Sequence, residues 1–153
     1  MANTFSQIYI QLVFAVKGRE SLISKSWKDE LYKYITGICT NNNQKLIAIN
    51  GVADHIHILI GLKPSMALSE LVKDIKSNSS RFINEKKFVK GKFSWQEGYG
   101  AFSCSHSQLD AVVKYIDNQE NHHATKSFKE EYLIFLKNFQ IEYDEKYLFE
   151  WIE

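Results

Sequence analysis

The stretch Lys45–Leu62 reads KLIAINGVADHIHILIGL. Two short runs rich in β-branched residues, Lys45–Ile49 and His55–Leu62, are separated by Asn50-Gly51 and Ala53-Asp54. That is hairpin chemistry, so the spacing predicts two neighbouring antiparallel strands, the second ended by Pro64-Ser65. Upstream, Trp27, Leu31, Tyr34, Ile35 and Ile38 recur at helical spacing, with Ser26 placed as an N-cap and Asp29 in the first turn. Further upstream, Gln7–Val16 alternates: Ile8, Ile10, Leu12, Phe14 and Val16 share one face, and Gln7, Tyr9 and Gln11 the other. Downstream, Leu68, Leu71, Val72, Ile75, Ser79, Phe82 and Ile83 form the stripe of a long helix. Phe93–Ser105, with Gly98-Tyr99-Gly100-Ala101-Phe102 inside it, reads as a turn entering a fourth strand.

The order β-α-β-β-α-β predicts an α+β, ferredoxin-like (RRM-like) sandwich: an antiparallel sheet with helices on one face and the other face available. A third helix is expected from about Ser105–Ser107, where Ser105 and Gln108 fit a capping box and Leu109, Val112, Val113 and Ile116 form a stripe. A last helix is expected from Ser127 to about Phe139. No repeat or linker divides residues 1–153, which are expected to form a single domain.

Composition narrows the class. A hydrophobic fraction of 44% and an aromatic fraction of 14% suffice for a core, which argues against disorder. No apolar run approaches the ~18 residues of a membrane span, and Met1-Ala2-Asn3-Thr4 carries no export signal. A cytoplasmic location is expected, with Cys39 and Cys104 as thiols rather than a disulfide. The net charge of +1 says little, but its distribution is uneven. Residues 73–92 hold Lys73, Lys76, Arg81, Lys86, Lys87, Lys90 and Lys92 against Asp74 and Glu85, whereas carboxylates dominate from residue 128 onward. Such asymmetry fits a face that meets phosphates, and it fits equally a solvated helix beside an acidic terminus.

Chemistry concentrates at two places. In Asp54-His55-Ile56-His57, positions two apart on a strand point the same way, so His55 and His57 share a face opposite Ile56, Ile58 and Ile60. Two adjacent imidazoles are well placed to ligate one metal ion, and they suit hydrogen-bonded structural histidines as well. On the third helix, Tyr115 and Gln119 stand one turn apart, with His122 on the same stripe. A tyrosine on a helix flank is ordinarily packing; His122 and His123 fit helix-end residues facing the dipole. Tyr9 and Gln11 fit either a place beside a site or a dimer seam.

Taken together, Asp54-His55-Ile56-His57, Tyr115 with Gln119, and Gly98-Tyr99-Gly100 ahead of the tyrosine helix make the chain resemble the HUH-type single-tyrosine transposases of the insertion-sequence 200/605 family. The resemblance covers nearly the whole length. It implies that His55, His57 and Gln119 are metal ligands for Mg²⁺ or Mn²⁺ and that Tyr115 is the nucleophile. It further implies cleavage and rejoining of single-stranded DNA through a 5′-phosphotyrosine link, recognition of hairpins at element ends, and a homodimer. Lys73, Lys76, Arg81, Lys86 and Lys87 are the candidates for DNA phosphates.

Three rivals are open, one of them a transposase descendant domesticated by its host, which would preserve the chemistry and change only the biological purpose. A noncatalytic RRM-like nucleic-acid-binding module has the same element order, and Gly98–Phe102 faintly resembles its RNP1 motif, although Glu97 replaces the basic residue and the segment falls on the wrong strand. A metal-dependent phosphodiesterase with water as nucleophile would keep the histidines and tolerate loss of Tyr115.

Overall fold

A computed structural model of the chain describes residues 5–119 together with Glu130, Leu133 and Ile134. The strands are β1 (Tyr9–Ala15), β2 (Lys45–Val52), β3 (His55–Gly61) and β4 (Gly100–Cys104). The helices are α1 (Lys28–Asn41), α2 (Leu68–Lys86) and α3 (Leu109–Asp117). The strands form one sheet in the order β2-β3-β1-β4, antiparallel at every pairing. This is the α+β sandwich read from the hairpin. No described helix is long and apolar enough to cross a membrane.

Alternation along β1 and β3 builds the main core. Leu12, Phe14, Ile56, Ile58 and Ile60 are all fully buried and pack against Leu31 and Ile35 of α1 and Leu71 and Ile75 of α2. Each such aliphatic or aromatic side chain contributes about 1.5–3 kcal/mol on burial. Ser79, a polar member of the α2 stripe, is satisfied: its hydroxyl donates to the Ile75 carbonyl and accepts from Trp95 Nε1 at 2.9 Å.

The opposite face is not open. α3 lies across it, with Ile116 fully buried against Leu59 and Ala48, and Val112, Val113 and Tyr115 packed around them. Ser105 and Gln108 form the expected capping box, with the Ser105 N–H donating to Gln108 Oε1 at 2.9 Å, although the first turn, His106–Gln108, is 3₁₀.

Two local expectations need correction. Ser26 does not cap α1. Its hydroxyl is paired with that of Ser24 at 2.9 Å and its N–H turns back to the same oxygen, while Trp27 holds the cap position with no side-chain bond. Asn50-Gly51 does not form the turn either; both residues extend β2, and the reversal is made by Ala53-Asp54. Gly51 is needed for another reason: a Cβ there would run into the His55 carbonyl oxygen and the Ile56 backbone of β3. A register irregularity between Leu46 and Ala48 is a further feature of β2. Cys39 is buried and Cys104 half-buried, both as thiols, and burial pushes Cys39 up to about 11. Among the residues expected in a last helix, Glu130, Leu133 and Ile134 are helical; the others, together with His122 and His123, lie outside the described residues.

Candidate active site and nucleic-acid interface

Strand pairing puts the chemical residues together. In the register, His57 stands between Val13 of β1 and Asn50 of β2, and His55 between Ala15 and Val52. Both imidazoles face α3 and both are fully buried. Their ring centroids are 5.2 Å apart and the planes are inclined at 70°. Tyr115 comes down from α3 and meets His57 edge-on, with centroids 5.8 Å apart and planes at 80°. The tyrosine and the imidazole belong to one chain.

Each group is oriented by a neighbour. Asp54 Oδ1 lies 2.7 Å from His55 Nδ1. A carboxylate only accepts, so the imidazole donates from Nδ1 and its lone pair resides on Nε2. Gln11, on β1, contacts His57 Nδ1 through its amide nitrogen at 3.2 Å. Gln11 thus lies beside the imidazole pair. Gln119 donates from Nε2 to the Tyr115 carbonyl at 3.3 Å, which fixes its amide plane one turn below the phenol. Asn50 donates to the Asp117 carbonyl at 3.1 Å and so ties the C-terminal end of α3 to β2. Asn50 was legible only as turn chemistry; its anchoring role depends on the strand continuing through it.

The donor set fits a divalent cation. Gln119 is fully buried, and its Oε1 accepts no hydrogen bond among the described residues. An unsatisfied buried acceptor of this kind costs about 1–3 kcal/mol, which a cation beside it would offset. Two imidazoles and an amide oxygen are neutral ligands of mixed softness, suited to Mn²⁺ and acceptable to Mg²⁺. No three His, Cys, Asp or Glu side chains converge among the described residues, so the third protein ligand in such a set would be an amide.

The basic candidates are not with the histidines. Lys73 and Arg81 line a groove of about 760 Å³ with Ser77, Asn84, Lys92 and Trp95, on the α2 side of the sheet. Arg81 is steadied by Asn78 Oδ1 at 2.6 Å. Lys86 lies over the Phe82 ring, and Lys87 ends α2 in a left-handed conformation. Lys76 is differently employed. Its ammonium donates to the Gln96 and Gly98 carbonyls at 2.8 and 2.5 Å and sits 5.3 Å from the Phe14 ring centroid, so it joins α2 to the segment ahead of β4. Lys76→Ala is expected to destabilise the fold by about 1.5–3 kcal/mol, the range for hydrogen bonds to charged groups. Lys73→Ala should stay within about 0.5 kcal/mol; paired thermal melts check both. Burial pulls the Lys76 amine down to about 8, opposed by Glu97, from 10.5. The folded chain therefore sheds this proton first, and stability should rise from about pH 8 toward 10.5, with the slope reduced in Lys76→Ala.

Known proteins share this architecture. The sequence profile for the family described as "Transposase IS200 like" matches residues 4–119. The chain belongs to the IS200-like transposase family. As members of the wider group, the ISDra2 transposase TnpA of Deinococcus radiodurans is 25% identical over 120 residues, covering 75% of this chain and 86% of that protein. The transposase for insertion sequence element IS200 of Salmonella typhimurium is 26% identical over 114 residues, covering 74% of this chain and 73% of its own. Among solved structures, a Deinococcus radiodurans R1 protein described as a transposase superposes with a TM-score of 0.63 at 24% identity, over 78% of this chain and 95% of that one. A REP-associated tyrosine transposase bound to a REP hairpin superposes with a TM-score of 0.61 at 13% identity, over 80% and 73%. At these identities the superpositions establish the shared fold. In this IS200-like transposase α3 occupies the sheet face on which an RRM stacks bases.

Proposed function

We propose that the chain cleaves and rejoins single-stranded DNA with Tyr115 as nucleophile, at a divalent-metal site formed by His55, His57 and Gln119. One observation carries the reading: a phenol stands edge-on to one of two neighbouring imidazoles, and one helical turn along from it in sequence is a buried amide oxygen that has no hydrogen-bond donor among the described residues. Family membership supports DNA processing as the setting.

The residues divide the work. When bound, Mg²⁺ or Mn²⁺ would supply Lewis-acid polarisation of the scissile phosphate. His55, His57 and Gln119 hold it with neutral donors, so the cation's charge is left for the phosphate. A free phenol has a pKa near 10, so only about a tenth of a per cent is ionised at neutral pH and the site must assist loss of the proton. Tyr115 Oη then attacks phosphorus; the P–O bond to tyrosine forms, the P–O3′ bond breaks, and the departing 3′ oxygen takes up a proton. A second 3′-hydroxyl reverses the step at the same phosphorus, which joins strands without ATP. Both imidazoles are fully buried, so on this reading DNA reaches them only when α3 shifts.

On this reading Lys73, Arg81, Lys86 and Lys87 contact phosphates of a DNA hairpin, and a homodimer brings two such sites together. The solved relative bound to a REP hairpin supports the choice of a hairpin substrate. The test is incubation with end-labelled single-stranded hairpin DNA and Mg²⁺ or Mn²⁺, followed by denaturing electrophoresis. A covalent protein–DNA adduct that forms with metal and not with EDTA is expected; cleavage without any adduct would overturn the tyrosine mechanism in favour of water.

A further inference from the structure

The two imidazoles are held at Nδ1 by different chemistry. At His55 the partner is a carboxylate, which can only accept, and the ring is fixed with its proton on Nδ1. At His57 the partner is the Gln11 amide, whose nitrogen faces Nδ1 at 3.2 Å. An amide nitrogen only donates, so Nδ1 accepts and a neutral ring keeps its proton on Nε2. A ring in that tautomer offers no lone pair at Nε2.

We propose that Gln11 is the positioning residue of His57 and that its amide sets the tautomer of that ring. With Nε2 toward the ring, the site is held closed to ligation by His57. With the amide turned over, Oε1 accepts from Nδ1–H and the lone pair moves to Nε2. Turning over a primary amide exchanges a donor for an acceptor in nearly the same volume, which a carboxylate cannot do. The placement supports this role. Gln11 is only 4% exposed and sits on the α3-facing side of β1, paired with Leu59, so its side chain reaches diagonally to the residue two positions before. A buried glutamine keeps its place by hydrogen bonding, and this one spends its amide nitrogen on an imidazole. The proposal rests on the reading of His57 as a metal ligand.

The test uses the whole chain and two isosteric variants, Gln11→Met and Gln11→Glu, checked for folding by thermal melts. Long-range ¹H–¹⁵N correlation spectra of the metal-free proteins report each imidazole's tautomer, and calorimetry reports Mn²⁺ affinity. In the wild type His55 should read Nδ1–H and His57 Nε2–H, with His57 moving to Nδ1–H on saturation with Mg²⁺. Gln11→Glu should read Nδ1–H at His57 before any metal is added. Gln11→Met, which removes both the donor and the acceptor, should release His57 from the single Nε2–H tautomer. A His57 tautomer unchanged from the wild type in either variant overturns the assignment. A wild type that binds no Mn²⁺ sinks the reading of the site instead, and the tautomer spectra alone then decide for or against Gln11.

Discussion

Tyr115→Phe is expected to eliminate both the covalent adduct and strand cleavage, with a rate loss on the order of 10⁴-fold or more, about 5 kcal/mol of transition-state stabilisation. The substitution removes a single oxygen. The ring that meets His57 edge-on remains, as does the packing of α3 against Leu59 and Ala48. Gln119 still bonds to the backbone carbonyl at position 115, which the change does not touch. Folding, metal binding and hairpin binding should therefore survive within about 0.5–1 kcal/mol, so the loss cannot be assigned to a collapsed site. The measurement is a single-turnover time course on labelled hairpin DNA, resolved on a denaturing gel. It separates the two catalytic readings of the site, because a phosphodiesterase using water keeps its activity without the phenol. Wild-type cleavage by Tyr115→Phe would end the nucleophile assignment.

Much of this geometry was legible in advance, for identifiable reasons. The alternation of Ile8–Val16 and of His55–Ile60 is local, and a period of two fixes which side chains share a face whatever surrounds the strand. The same rule separates His55 and His57 from Ile56, Ile58 and Ile60, as observed. The capping box at Ser105 is equally local. The expectations that failed concern choices between two local options, which tertiary contacts decided. Asn50-Gly51 has hairpin chemistry, yet Asn50 is occupied in holding Asp117 and Gly51 in admitting the β3 backbone, so the turn falls on Ala53-Asp54, the second of the two turn pairs the sequence offers. Ser26 has the right side chain for a cap, but Ser24 engages it first.

Long-range pairing was invisible. Nothing local links Gln11 to His57, 46 positions away, or Lys76 to the carbonyls of Gln96 and Gly98. The covered second face did leave a trace. Leu59 lies in line with His55 and His57, and a fully buried leucine on a face expected to be open needs a cover; Ile116 supplies it. The orienting role of Asp54 was also written in the sequence, one residue before His55, although its carboxylate suited a turn equally well. The basic run was real, but proximity in sequence did not equal common purpose. Lys76 bonds the segment ahead of β4, while Lys73 and Arg81 line a groove separated from the histidines by the sheet.

That separation shapes the second large effect. His57→Ala is expected to lower cleavage by about 10³-fold and to weaken Mn²⁺ binding by at least about 10-fold, while hairpin binding changes less than about threefold. The alanine removes one ligand of the proposed set and the ring against which Tyr115 rests. It also leaves the Gln11 amide nitrogen buried without its acceptor, a cost of about 1–3 kcal/mol, so a lower thermal midpoint should accompany the loss. The cationic groove on α2 is untouched, and phosphate contacts there are governed by charge and salt. Calorimetry, gel shift at two salt concentrations and the cleavage assay read the three quantities separately. If binding falls in step with cleavage, DNA is held at the histidines and not across the sheet. If cleavage persists at the wild-type rate, the imidazole pair is structural, and the buried Gln119 oxygen must answer to something other than a metal.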